Sequence, residues 1–209
     1  MTQVSRDHYE FERYATEERF ASYWYQLKEI LEVGPISVLE IGVGDGVVGA
    51  YIRQSGGIAY TCADYAADTK PDVVADVRSL PMADGSFDVV CAYEVLEHLP
   101  FDDFEKAVSE LVRVARHRII ISVPHFGPPV KFLLKIPFLP ELCFAFKIPF
   151  PRIHTFNGQH YWEIGKRGYP VSRIRAVLSR YATLLRDYVP FENQYHHFFV
   201  LEKRQALHN

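Results

Sequence analysis

Val38-Leu39-Glu40-Ile41-Gly42-Val43-Gly44-Asp45-Gly46-Val47-Val48-Gly49 is the stretch from which the rest of the chain is read. An apolar run ends in a carboxylate and then breaks into glycines at every second position. That pattern is a buried strand leaving its sheet through a tight turn into a helix. Glycine takes positive φ without steric cost, and its bare backbone lets a ligand lie directly against the chain. The turn feeds a helix to about Gln54, closed by Gly56-Gly57.

Outward from this turn, the same grammar recurs. Ile58 to Ala63 is apolar and ends on Asp64; Asp72 to Ala75 ends on Asp76; Phe87 to Ala92 leads to Tyr93 and Glu94. Phe104, Ala107, Val108, Leu111, Val112 and Ala115 mark an amphipathic helix, followed by the continuous apolar run Ile119 to Val123. Such runs, alternating with helices, are strands covered on both faces of a mostly parallel sheet. Before the turn, Phe20, Tyr23, Trp24, Leu27, Ile30 and Leu31 lie at helical spacing from about Thr16 to Glu32, and this stripe is expected in the core. Near the end, a helix from about Pro170 to Arg180 precedes two strands, Thr183 to Val189 and Gln194 to Glu202, which should form an antiparallel hairpin. The fold class expected is therefore α/β, Rossmann-like and doubly wound.

The chain has 209 residues, 48% of them hydrophobic, enough for one core and one modest appendage. A single domain over residues 1–209 is expected, with an N-terminal helical arm at 1–35 and an insertion or lid at 124–160. A formal net charge of −3 draws the protein toward neither nucleic acid nor an anionic membrane as a whole. Three cysteines without CxxC spacing argue against a disulfide framework or zinc knuckle and fit a reducing, cytoplasmic setting. The first residues lack the apolar core of a secretory signal, and lysines and prolines interrupt the only long apolar region.

In an open parallel sheet, ligands bind beyond the carboxyl ends of the strands, where strand order reverses. Glu40, Asp64, Asp76 and Tyr93 gather at that edge, and Asp64 stands about twenty residues past the glycines, where a carboxylate accepts from ribose hydroxyls. Two cofactor classes remain open on spacing. Gly44 to Gly49 formally matches the GxGxxG of dinucleotide enzymes, whereas Glu40 just ahead of Gly42-x-Gly44-x-Gly46 suits a ligand with an ammonium end better than a pyrophosphate. No Tyr-x-x-x-Lys pair for hydride transfer occurs.

From about Ile36 to Val123, and in its terminal hairpin by order, the chain resembles the class I S-adenosylmethionine-dependent methyltransferases, in particular the small-molecule branch called methyltransferase type 11. The resemblance implies a seven-stranded, mostly parallel sheet with an antiparallel C-terminal hairpin, and S-adenosylmethionine as cofactor. It implies that Glu40, Gly42, Gly44 and Gly46 hold the methionine part, that Asp64 takes the ribose with Tyr65 beside the adenine, that Asp76 and Val77 meet the adenine edge, and that Tyr93 sits near the cofactor. Such chemistry needs orientation and dryness, with a base only when the nucleophile must lose a proton. His125, directly after the fifth strand, and His160 are the candidate bases. Glu94-Val95-Leu96-Glu97-His98 is similar to the Glu-x-x-Glu-His segment that holds a divalent metal in some methyltransferases, with His160 able to complete it. The same letters also begin a helical turn in members that need no metal, and no metal is assigned here.

In the insertion the regular alternation of strands and helices stops and prolines break the chain; its apolar and aromatic residues, interleaved with Lys131, Lys135, Lys147 and Arg152, read as a lid over an apolar acceptor, a patch for peripheral membrane contact, or a cap on the body or a second subunit. The expected function is methyl transfer from S-adenosylmethionine to a small, apolar or lipid-linked acceptor. An NAD-type oxidoreductase and a non-catalytic cofactor-binding regulatory protein are the alternatives. Neither a nucleic-acid partner nor an oligomeric state is assigned.

Overall fold

The computed structural model describes residues 14–150 and 152–205, so the first thirteen residues of the expected arm lie outside it. Among the described residues, Glu17–Leu31 forms α1, with Thr16 as N-cap accepting from the Arg19 amide at 3.3 Å. Ser37–Ile41 is β1 and Val47–Ser55 is α2, ended by Gly56. Ala59–Asp64 is β2, Val73–Val74 a two-residue β3, and Phe87–Tyr93 is β4. Helix α3, Phe101–Val114, passes without a loop into β5, Ala115–Pro124, so Arg116 and His117 stand on the strand. After Pro128 come β6, Pro129–Leu134, and β7, Leu142–Lys147; then α4, Val171–Tyr181, β8, Thr183–Tyr188, and β9, His196–Glu202.

The main sheet has seven strands in the order β3-β2-β1-β4-β5-β9-β8. Strands β1 to β5 run parallel, and β9 returns antiparallel between β5 and β8. This is the doubly wound sheet with an antiparallel C-terminal hairpin that the sequence predicts. Strand order reverses between β1 and β4, which opens a crevice at their carboxyl ends.

Side-chain alternation divides each central strand between two layers. Leu39, Val90, Ile119, Ile121 and Phe199 join the core under α3 and α4. Val38, Val89, Ile120, Phe198 and Val200 join the core under α1 and α2. Both faces of the Ile119-Ile120-Ile121 run are fully buried, and each such side chain contributes roughly 2–3 kcal/mol of burial. Asp88 pins the amino end of β1 to β4: its carboxylate accepts from the amides of Ile36 and Ser37 at 2.9 and 3.1 Å and from Arg116.

Two expectations are corrected. The aromatic stripe of α1 is only half in the core: Tyr23 and Ile30 are buried, but Phe20 and Trp24 are exposed. The buried face instead includes Ser22, Gln26 and Glu29, because this helix covers a polar crevice and Glu29 is held by Arg186 and Tyr188. The insertion, which the prolines suggest is irregular, contains the regular antiparallel pair β6–β7, a separate two-stranded sheet. Within the hairpin, Pro129 is the first residue of β6 and Pro137 and Pro140 lie in the connecting turn, positions at which proline is tolerated.

Candidate functional site

The glycine turn forms the floor of a cavity of about 240 Å³ at the crevice, walled on the far side by Arg19, Tyr23 and Gln26 of α1. Gly42 has φ +85°, and a Cβ there would meet Val95 Cγ2 at 2.6 Å, so the turn lies tight against the loop after β4. Gly44 has φ +56° and nothing within 4 Å of a Cβ, leaving bare backbone open toward the cavity. Gly46 instead serves as the left-handed N-cap of α2 and does not line the cavity.

Asp64 fastens this turn to β2. Its Oδ2 accepts from the Val43 amide at 2.9 Å and its Oδ1 from the Ala66 amide at 2.8 Å. Each oxygen retains a second lone pair for a ligand hydroxyl. Asp76 also lines the cavity, but its carboxylate is gripped by Arg78, whose Nη2 lies 2.6 Å from Oδ2, and Arg78 continues to Asp103 at 2.7 Å. The Arg78 hydrogen bonds, outweighing burial, hold Asp76 below the usual carboxylate range. Tyr65, Val77 and Tyr93 complete the same wall.

Glu40 is buried at the end of β1, and Tyr60 of β2 donates its hydroxyl to Oε2. Burial pushes the Glu40 pKa up to about 7; the Tyr60 hydrogen bond opposes this and Asp45 adds to it. Gly49 explains how Tyr60 arrives there, because a Cβ at position 49 would stand 2.5 Å from the tyrosine oxygen. Asp45 is itself held by Tyr23 from α1 at 2.6 Å, so the helix and the glycine turn close around the cavity together.

At the end of β4, Glu94 lines the cavity with φ +54°, a costly conformation for a residue with a side chain, of the sort that persists where surrounding contacts fix it. Those contacts are with Ser122: the Glu94 amide donates to its carbonyl at 3.0 Å and Oε1 accepts from its hydroxyl at 2.8 Å. Burial raises the Glu94 pKa to about 8.

Glu97, one turn further, is fully buried, and neither carboxylate oxygen has a hydrogen-bond partner among the described residues. The Nε2 atoms of His98 and His160 each stand 4.0 Å from Glu97 Oε1. Each ring is oriented from behind, Nδ1 of His98 lying 3.0 Å from the Gln159 carbonyl and Nδ1 of His160 3.1 Å from Glu163 Oε1. Burial, then the neighbouring His160, lowers the His98 pKa to about 4, so that ring is neutral. The three donor atoms lie within 4.8 Å of one another. An oriented pair of imidazoles facing an orphaned carboxylate is a donor set that fits a divalent cation. Of these residues only His98 also lines the cavity; Glu97 and His160 sit behind it.

His125 lies beyond β5 and does not line the cavity. Its Nδ1 is 2.9 Å from Nδ1 of His197, whose Nε2 is 2.8 Å from Asp187 Oδ2. With Asp187 accepting from His197 Nε2–H, His197 Nδ1 is left as acceptor and His125 Nδ1–H as donor. His125 therefore presents Nε2 as a lone pair. Burial, with Lys147 and His197, lowers its pKa to about 3.

The structure thus brings Glu40, Gly42, Gly44, Asp64, Tyr65, Asp76, Val77 and Tyr93 to one cavity, and places Gly46, His125 and His160 outside its lining. Sequence reasoning misses Arg19, Tyr23 and Gln26, because helix α1 precedes the sheet and no spacing announces which of its turns meets the glycines, and it misses Arg78, whose place follows from its grip on Asp76 in the loop after β3. It also misses Tyr60, whose role emerges only when β2 pairs beside β1.

Residues 39–121 match a family model described as a methyltransferase domain. The fold is similar to that of the Burkholderia thailandensis 1,6-didemethyltoxoflavin-N1-methyltransferase, solved with 1,6-didemethyltoxoflavin and S-adenosylhomocysteine. The TM-score is 0.64 at 17% identity, over 95% of this chain and 85% of that one. The N-methyltransferase NodS of Bradyrhizobium japonicum, solved with S-adenosyl-L-homocysteine, is similar at TM-score 0.58 and 12% identity, over 91% and 90%. The [4+2]-cyclase SpnF is similar at TM-score 0.56 and 12% identity, over 90% and 81%. No curated protein matches the sequence. At these identities the likeness is one of fold, and the cyclase is a reminder that the fold alone does not name a reaction.

Proposed function

We propose, from the premise that this chain carries a class I methyltransferase domain, that it binds S-adenosylmethionine in the β1–β4 crevice and transfers the methyl group to a small, apolar or lipid-linked acceptor. The observation that carries the reading is the open backbone of Gly44 between two carboxylates, Glu40 and Asp64, at the strand switch point. A cavity with a carboxylate at each end of a bare glycine turn suits a ligand with an ammonium at one end and ribose hydroxyls at the other. Asp76, at the third strand end, meets the adenine amine once Arg78 yields.

When bound, the cofactor supplies a methyl group already activated by its sulfonium. The chain's task is then to orient the acceptor, exclude water and hold a proton where needed. Helix α1 walls one side of the cavity through Tyr23 and Gln26. His125, with Nε2 unprotonated by virtue of the His197–Asp187 pair but made a weak base by burial, and His160 are the candidates to take a proton, and since both lie outside the cavity lining, only from an acceptor that extends beyond it. The exposed apolar side chains of the β6–β7 hairpin, which follows the carboxyl end of β5, support an apolar or lipid-linked acceptor.

A second reading concerns His160. The orphaned Glu97 carboxylate facing two imidazoles supports a divalent cation held by Glu97, His98 and His160. There it would polarise an acceptor oxygen reaching past His98, and His160 would be a ligand, leaving His125 as the base.

Calorimetric titration with S-adenosylhomocysteine and, separately, with NAD tests the cofactor: heat with NAD and none with S-adenosylhomocysteine overturns the proposal. Methyl release from labelled S-adenosylmethionine across pools of polar and lipid acceptors then addresses the substrate. For the cation, metal analysis of protein purified without chelator, with activity measured with and without EDTA, decides; no bound metal and no EDTA effect removes that reading.

A further inference from the structure

We infer that the β6–β7 hairpin is a docking element for an anionic lipid surface. The two strands pair in register from Pro129 opposite Lys147 to Leu134 opposite Leu142. Alternation therefore sorts their side chains onto two faces. One face carries Lys131, Leu133, Cys143, Ala145 and Lys147, and its base rests on the body. Lys147 donates to the His125 carbonyl, Lys131 stands 4.7 Å over the Phe191 ring, and Ala145 and Lys147 are the partly covered members of the hairpin. The other face carries Val130, Phe132, Leu134, Leu142, Phe144 and Phe146 and nothing else, and every one of these is 41–58% exposed.

The apolar surface does not end with the strands. The turn between them adds Ile136, Leu139 and Phe138, the last wholly exposed at the tip with φ +69°. Monomeric proteins rarely leave so large a contiguous apolar surface in water, and such a surface marks an interaction site. Its shape and charge select the occupant. A protein partner laid on the flat strand face leaves the tip in water, whereas a bilayer surface takes the face and the tip into one apolar phase. Between residues 126 and 150 the exposed charges are Lys131, Lys135 and Glu141, with Lys147 turned onto the body, so the segment carries a local positive excess in a chain whose net charge is −3. Cationic side chains beside an apolar wedge complement anionic headgroups. The hairpin follows the carboxyl end of β5, so it projects from the sheet edge at which the cavity opens. The inference rests on this surface alone and stands whether or not the cofactor assignment holds.

Flotation with vesicles of phosphatidylcholine, with and without phosphatidylglycerol, tests it without any cofactor. The wild-type chain is expected to float with the anionic vesicles, less at high salt, and weakly with the zwitterionic ones. The double variant Phe132→Ser, Phe138→Ser should lower the partition coefficient at least about tenfold, with circular dichroism and S-adenosylhomocysteine binding unchanged, since neither side chain is buried in the body. A Phe138→Trp variant should show a blue-shifted emission on anionic vesicles. Wild-type protein that stays unbound to both vesicle types, or a double variant that floats equally well, overturns the inference. So does a concentration-dependent dimer in sedimentation that the double variant dissolves while vesicles bind neither form, which would assign the face to a second copy of this chain.

Discussion

Binding of S-adenosylhomocysteine is expected to tighten as pH rises through neutrality, with Glu40 as the group responsible. Burial raises its pKa to about 7 in the empty cavity, against the Tyr60 hydrogen bond. About one-tenth of Glu40 is then ionised at pH 6 and about nine-tenths at pH 8. A ligand ammonium that engages only the carboxylate form gains about tenfold in affinity across that interval, or about 1.4 kcal/mol, and its binding at pH 6 releases close to one proton. Calorimetry at pH 6, 7 and 8, each in two buffers of different ionisation enthalpy, reads both quantities. Glu94 lines the same cavity and is raised to about 8, so it titrates in an overlapping window. The Glu40→Gln variant separates them: it should bind more weakly at pH 8 and lose most of the slope. Tyr60→Phe removes the donor that favours the anion and should move the midpoint above 7. Gly49→Ala, which drives a Cβ to 2.5 Å from the Tyr60 oxygen, should shift it the same way. A dissociation constant that does not change between pH 6 and 8, or a slope that survives in Glu40→Gln, refutes the reasoning.

The same group acts on the empty fold with the opposite sign. Its folded pKa lies above the unfolded value, so its favourable contribution is complete below about pH 4.5 and is lost as pH rises through 7, by about 3 kcal/mol; urea unfolding should show Glu40→Gln gaining on wild type between pH 5 and 8, and parallel curves would contradict this. Gly44→Val should abolish S-adenosylhomocysteine binding while the protein still folds, since its Cβ meets nothing and the positive φ costs about 1–2 kcal/mol; unchanged affinity would remove the glycine turn from the site. Asp88→Ala strands the Ile36 and Ser37 amides at the amino end of β1 and the Arg116 guanidinium, and should cost about 2–3 kcal/mol in denaturant unfolding without altering ligand affinity; a loss under about 0.5 kcal/mol would show that water replaces it. Glu97→Gln should abolish calorimetric binding of a divalent ion to chelator-treated protein, and retention of that binding would place the ion elsewhere.

Much of the fold is legible in the sequence because each central element carries its own signal. The predicted β1, with its glycine turn, matches the observed strand, and the terminal hairpin is foretold by the short Pro190 to Asn193 connection. Prediction weakens where tertiary context decides. The apolar spacing of α1 correctly predicts a helix, but not that Gln26 and Glu29 would be its buried positions, because their burial is stabilised by partners such as Arg186 that lie far along the chain. The hairpin at 129–147 has β-forming residues such as Val130, Phe132, Phe144 and Phe146 in its strands, yet its prolines and the exposure of its apolar face disguise it as irregular chain.

The candidate site divides along the same line. Residues whose place in the cavity follows from backbone position, Gly42, Gly44 and the strand-end carboxylates Glu40 and Asp64, are located from spacing. Residues whose role depends on which side chain faces them are not. Asp76 reads in sequence as a free acceptor, and in the structure it is closed by Arg78, two residues on. An adenine amine reaching Asp76 must therefore compete with a guanidinium that Asp103 also holds. If Arg78 swings wholly onto Asp103, the pocket opens at the cost of one partly exposed ion pair, roughly 1 kcal/mol or less. That is small beside the binding energy of a micromolar ligand, about 8 kcal/mol. Arg78 is thus a latch that a ligand can lift, and Arg78→Met should tighten S-adenosylhomocysteine binding by a few-fold, whereas weakened binding would mean that the guanidinium itself holds the ligand.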